Sequence, residues 1–225
     1  MVALNLTRKF SLSDNLTAVF DPIEKAGASN NVAPVYVGGA MLGNDAQFFL
    51  YGGLTKPSDA FPDPDPDDVL EYQQFDYGGE KAFKPGFVYE KLPKGVTRYV
   101  AYGAAVSSPS EQKAWYFSGL KSNTSGVIYD TFSETEGIPS NISNTFISVE
   151  FNPSSQNLET WKNTTLPDTV SGRASAEGVF VPVGEKGILV FVGGVTHPEF
   201  ASKTHESENP AALVSTCQPC IPLLT

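Results

Sequence analysis

The chain is 225 residues long, carries a formal charge of −10, and is 40% hydrophobic. That length and apolar content suffice for one domain with a sizeable core. The acidic balance argues against nucleic acid and anionic membrane surfaces as partners, because both need clustered Lys and Arg.

In chain order, residues 1–20 contain a predicted strand pair. A hairpin follows, with Val35-Tyr36-Val37-Gly38-Gly39-Ala40-Met41-Leu42 as its first strand and Phe48-Phe49-Leu50-Tyr51-Gly52-Gly53-Leu54 as its second. Gly43-Asn44-Asp45 forms the turn, with residues suited to tight dihedrals. Asp68–Phe75 reads as a third strand and Gly86–Glu90 as a fourth. The pattern then restarts with Tyr99–Val106, a turn at Ser108-Pro109-Ser110, and Ala114-Trp115-Tyr116-Phe117-Ser118-Gly119-Leu120. Asn144–Phe151 alternates apolar and polar residues as a half-buried strand does, and Leu158–Lys162 follows it. A third start runs through Ala176–Val183, a turn at Gly184-Glu185-Lys186-Gly187, and Ile188-Leu189-Val190-Phe191-Val192-Gly193-Gly194-Val195. Residues 201–225 match no such strand and are expected to form an irregular tail.

The recurring phrase is an apolar, aromatic run ending in glycine. Gly53, Gly119 and Gly194 lie 66 and 75 positions apart, about one small sheet plus its loops. Self-similarity at a long period marks a repeat architecture. No window shows sustained helical periodicity, and 17 Pro with 20 Gly would interrupt long helices. The fold class is therefore all-β, built from four-stranded antiparallel units over about 33–92, 97–166 and 172–200. Gly52, Gly53, Gly119, Gly193 and Gly194 are the candidate structural residues, permitting close backbone approach or positive φ at strand ends.

A hairpin closing in a glycine doublet, then an aromatic strand, then a strand with Trp161 resembles the kelch repeat of β-propellers. The opening phrase Leu4-Asn5-Leu6-Thr7-Arg8-Lys9-Phe10-Ser11 and the long Asn/Ser/Pro-rich loops are similar to those of large fungal kelch proteins. The second copy departs from the doublet with Ser118-Gly119, and the late tryptophan occurs only there. The resemblance implies a partial kelch-type β-propeller of about three blades, with residues 1–20 as outer strands of a preceding blade. Closed propellers have at least four blades, so a fragment of a larger propeller is expected. It also implies an extracellular or cell-surface setting in the full-length protein.

Five Asn-x-Ser/Thr sequons, at Asn5, Asn15, Asn123, Asn141 and Asn163, are candidate N-glycosylation sites and favour that setting. No signal peptide and no transmembrane run of 18 apolar residues is visible, as expected of a chain truncated at both ends. A complete chain would be cytoplasmic.

Catalytic chemistry finds little support. A copper oxidase site of the galactose oxidase type needs two Tyr and two His, but His197 and His205 both lie beyond the recognised strands. No Gly-x-Ser-x-Gly elbow occurs. The stretch Asp59-Ala60-Phe61-Pro62-Asp63-Pro64-Asp65-Pro66-Asp67-Asp68 offers hard oxygen ligands for Ca²⁺, yet alternating Asp-Pro steps hold carboxylates apart and read as a solvated stiff loop. Cys217-Gln218-Pro219-Cys220 lacks the helix start of a redox motif and the second ligand pair of a zinc site. The aromatics Tyr51, Trp115, Tyr116, Phe117, Phe180 and Phe191 read as packing between blades, with a sugar-stacking surface as the alternative.

The expected function is a non-catalytic interaction module, needing no cofactor and no metal, whose loops recognise a protein or carbohydrate partner. The alternatives are a fragment of a galactose-oxidase-like or other propeller enzyme whose active site lies elsewhere, and an intracellular kelch scaffold.

Overall fold

The computed structural model describes residues 2–4, 9–11, 13, 17, 20–22, 36–55, 64–77, 80–83, 88–121, 141–152, 159–196 and 221–222. Alternating Val, Phe, Tyr and Trp between glycine-bearing turns can bury a face only as strands, and the molecule is all-β. A short pair, β1 (Val2–Leu4) and β2 (Phe20–Pro22), opens the chain.

Repeat 1 contains β3 (Tyr36–Val37), β4 (Ala40–Gly43), β5 (Gln47–Tyr51), β6 (Leu54–Thr55), β7 (Asp68–Tyr77), β8 (Glu80–Phe83) and β9 (Val88–Lys91). Its main sheet runs β4-β5-β7-β9, and β8 extends the far end of β7. Repeat 2 contains β10 (Val100–Ala101), β11 (Ala104–Ser108), β12 (Lys113–Phe117), β13 (Leu120–Lys121), β14 (Asn141–Ile142), β15 (Thr145–Glu150) and β16 (Thr160–Thr165), with main sheet order β11-β12-β15-β16. Repeat 3 is the hairpin of β17 (Ala174–Val181) and β18 (Ile188–Val195), flanked by β19 (Ile221–Pro222). Among the described residues every pairing is antiparallel, and no sheet closes on itself. The sheets stack side by side through β4, β11 and β17, a propeller-like arrangement.

Three local features differ from expectation. The strands expected at 35–42 and 99–106 are each interrupted after two residues, because Gly38 and Tyr102 adopt left-handed backbone at φ 69° and 59°. The turn expected at 108–110 starts later. Ser108 still pairs with Lys113, and a 3-10 turn over Pro109–Glu111 ends at left-handed Gln112. Within the segment expected to be an irregular tail, Ile221 and Pro222 pair with Leu189 and Ile188, giving repeat 3 a third strand.

Two apolar layers hold the repeats together. Ala40, Leu42, Phe49 and Tyr51 of repeat 1 pack with Ala114, Tyr116, Ile147 and Val149 of repeat 2. On the other side of repeat 2, Ala104, Val106, Trp115 and Phe117 pack with Ala176, Leu189 and Phe191 of repeat 3.

Candidate functional site

The glycine phrases converge on one construction, repeated three times. Flanking register places Gly38 opposite Gly53, Tyr102 opposite Gly119, and Ser175 opposite Gly194. All six are left-handed, with φ of 69° and 92°, 59° and 86°, and 56° and 75°. A left-handed residue turns its N–H and C=O out of the hairpin ladder, and four of these N–H groups reach the neighbouring repeat. The Gly53 N–H donates to Val100 O at 2.7 Å, and the Gly119 N–H to Arg173 O at 2.9 Å. On the facing strand, the Tyr102 N–H donates to Gly38 O at 2.7 Å and the Ser175 N–H to Tyr102 O at 2.6 Å. A β-carbon on Gly119 would lie 2.5 Å from Ala101 O, so that position needs glycine for space as well as for φ.

The remaining doublet residues also share a conformation. Gly52, Ser118 and Gly193 have φ of 67°, 58° and 74°. Serine there bears a left-handed strain of about 1 kcal/mol, and its hydroxyl offsets it. Ser118 Oγ donates to Ser143 O at 2.6 Å and accepts from the Arg173 N–H at 2.7 Å, both buried. The departure from the doublet at Ser118 therefore joins repeat 2 to repeat 3.

The six aromatics weighed as sugar platforms are core residues. Tyr51, Trp115, Tyr116, Phe117 and Phe191 are buried, and Phe180 is half-buried. Phe117 stacks on Phe191 at 4.4 Å, Trp115 on Phe180 at 5.6 Å, and Tyr51 meets Tyr116 edge-on at 5.1 Å, each across a repeat boundary. Trp161, on the outer strand of repeat 2, meets Phe49 of repeat 1 at 5.1 Å. Burial pushes the Tyr51 and Tyr116 hydroxyls well above the ordinary tyrosine range.

Of the acidic stretch, Asp65, Asp67 and Asp68 come together. Lys91 Nζ sits among them at 3.0, 3.0 and 2.7 Å, supplying the positive charge that converging carboxylates require. The hydrogen bonds that Lys91 donates to Asp68, Asp67 and Asp65 raise its pKa, and the one Asp67 accepts lowers that of Asp67. The loop is fastened from beneath by Arg98, a residue with no signal in the sequence. Arg98 is 2% exposed, and its Nε donates to Asp65 O at 2.8 Å while Nη2 donates to Pro64 O. The Tyr36 and Tyr89 hydroxyls meet at 3.0 Å, and burial raises the Tyr36 pKa.

Two of the surface concavities are formed by described residues. The larger, about 480 Å³, lies between repeats 2 and 3 at the hairpin-turn end. Glu111, Lys113, Glu150, Lys162, Glu185 and Lys186 surround it, with Trp115 also in its lining. Lys113 pairs with Glu150 at 3.2 Å. The smaller, about 300 Å³, is lined by Tyr51, Tyr99, Lys121, Thr145 and Asn163, among others.

Among the sequons, Asn163 lies exposed on β16, and its Nδ2 donates to Gly95 O at 2.8 Å. Asn141 begins β14. Asn5, Asn15 and Asn123 lie outside the described residues, as do His197, His205, Cys217 and Cys220. Among the described residues, no helix is long and apolar enough to cross a membrane.

No family model and no curated protein matches the chain. Among solved structures it is similar to one titled "Structure of YjhT", at 14% identity and a TM-score of 0.42. The match covers 70% of this chain and 43% of that structure, so the chain spans less than half of its length.

Proposed function

We propose that this chain is a non-catalytic recognition module, a segment of a kelch-type propeller whose exposed ends contact a protein or glycan partner. The groove between repeats 2 and 3 carries this reading. Its charged side chains come from the turns and strands of two repeats, three acidic and three basic, and they stand over a tryptophan whose ring is already committed to Phe180. A polar rim of both signs, fixed on stitched sheets, suits a polar, uncharged or zwitterionic partner such as an oligosaccharide or a mixed-charge peptide. Its rigid scaffold lowers the ordering cost of recognition.

The test is a titration of the purified chain with arrayed oligosaccharides and mixed-charge peptides, read by Trp115 fluorescence and by calorimetry. A ligand of this site should lose at least tenfold in affinity in Lys162→Glu and keep it in Lys121→Glu, at the other concavity. Equal affinity in both variants, or turnover of the ligand, would sink the proposal. An extracellular setting is part of the same reading. Its check is whether Asn163 gains a glycosidase-sensitive mass on expression in a secreting eukaryotic host.

A further inference from the structure

Repeats 1 and 2 each bury one hairpin face under the next repeat, while repeat 3 leaves the equivalent face open. Aligning the left-handed pairs sets Val179, Val190 and Val192 in the places of Leu42, Phe49 and Tyr51 in repeat 1, and of Val106, Trp115 and Phe117 in repeat 2. The six earlier residues are 0–5% exposed, whereas Val179 is 52% and Val192 47% exposed. Val181 and Ile188, paired across the same hairpin face, extend this apolar surface. The backbone stitch ends here too. The Gly194 N–H and the Ser175 C=O correspond to groups that bond across both earlier boundaries, and neither has a partner across a boundary among the described residues.

Repeat 1 presents the opposite half of the same joint. Val37 and Met41 are 37% and 54% exposed, while Ala101 and Ala174, in the place of Val37, are 0% exposed under a preceding repeat. Tyr36 O, which also accepts from the Gly39 N–H at 3.2 Å, occupies the place of Val100 O and Arg173 O, the two acceptors of the stitch. The Gly38 N–H occupies the place of the donating Tyr102 and Ser175 N–H groups, and has no partner among the described residues.

We propose that the open face of repeat 3 seats repeat 1 of a second copy of this chain. The joint reproduces the two internal boundaries. Val179 and Val192 cover Val37 and Met41, the Gly194 N–H donates to Tyr36 O of the second copy, and that copy's Gly38 N–H donates to Ser175 O. The occupant is a second copy because the two halves of the joint lie at the two ends of one stack and complement each other in donor, acceptor and apolar surface. Such a contact is head-to-tail, so it forms a ring where the rotation closes and a longer series where it does not. Two copies would place six hairpins around one axis, within the range of closed propellers.

The experiment is light scattering on the size-fractionated 225-residue chain at about 50 μM, with Val192→Glu, Met41→Glu and their mixture. The wild-type chain should run at twice 24.1 kDa or a higher multiple, and each variant alone at 24.1 kDa with unchanged circular dichroism. In each variant every joint carries one glutamate, whereas the mixture contains one wholly wild-type joint. Mixing the two should therefore restore a two-copy species, which a simple folding defect cannot do. A wild-type chain that stays at 24.1 kDa, or two variants that assemble like the wild type, would overturn the proposal.

Discussion

Repeats 2 and 3 are built on the same hairpin, yet one is enclosed on both faces and the other on one. In repeat 2, Trp115 and Phe117 lie against repeat 3 while Ala114 and Tyr116 lie against repeat 1. In repeat 3, Leu189 and Phe191 are covered by repeat 2, while Val192 on the reverse face is 47% exposed. Alternation along a strand assigns residues to two faces, but the neighbouring sheet decides which face is dry. The large aromatics stand at the covered positions and small aliphatics at the open ones. That difference separates a sheet that holds the stack together from one that presents a surface.

The largest test of this contrast removes a side chain from each face. Trp115→Ala should cost about 3–5 kcal/mol, because it opens a cavity beneath Phe180 and beside Val106. Val192→Ala in dilute solution should stay within about 0.5 kcal/mol, as surface changes do. Chemical denaturation of both variants gives the comparison. Equal losses would show that the open face is not open.

The stitch supplies the next contrast. Gly53→Val places a β-carbon 3.0 Å from Gly39 at φ 92°, and should lose on the order of 3 kcal/mol. Gly193→Ala meets nothing within 4 Å and should lose only about 1 kcal/mol, the cost of left-handed backbone. An unchanged melting temperature in Gly53→Val would refute the structural role assigned to the doublet.

Ser118 sharpens the same point. Ser118→Ala keeps the left-handed strain and leaves the buried Arg173 N–H without its acceptor, a loss of about 2–3 kcal/mol. Ser118→Gly loses the same hydrogen bonds but relieves the strain, and should be less damaging by about 1 kcal/mol. If glycine is the worse substitute, the hydroxyl is not what offsets the strain.

The smallest effect concerns the acidic loop. Asp67 has a lowered pKa, so its contribution is present above its usual 3.8 and is lost as pH falls through the lower folded value. Lys91 has a raised pKa, so its contribution is full below its usual 10.5 and is lost as pH rises through the higher folded value. Lys91→Met should therefore lower the melting temperature slightly at neutral pH and flatten the stability profile at both edges. Because Lys91 and Asp67 are well exposed, high salt should shrink the wild-type advantage.

Much of the fold is legible in local residues. The hairpins are marked by Gly43-Asn44-Asp45 and Gly184-Glu185-Lys186-Gly187, the strands by alternation such as Phe146-Ile147-Ser148-Val149, and the repeat by the glycine phrase. These signals survive because turn dihedrals and alternation depend on near neighbours. The left-handed residues on the first strand of each hairpin are harder to read. Gly38 suggests the conformation, but Tyr102 adopts it because sheets on either side take its N–H and C=O, and Ser175 because the neighbouring repeat takes its N–H. Lys91 lies 23 positions beyond Asp68, and Arg98 looks like an ordinary surface cation, so neither announces that it holds the acidic loop.

Composition and local pattern were thus enough to specify an all-β chain of repeated hairpins with glycine at the strand ends, since those features rest on backbone sterics and a two-residue period. Contacts between distant segments settled the rest. They enclosed the aromatics, gave the converging aspartates a lysine, turned Ser118 into a tie between repeats, and left one valine-rich face uncovered. Burial and hydrogen-bond partnership belong to pairs of sheets, and no single stretch of chain contains both members of such a pair.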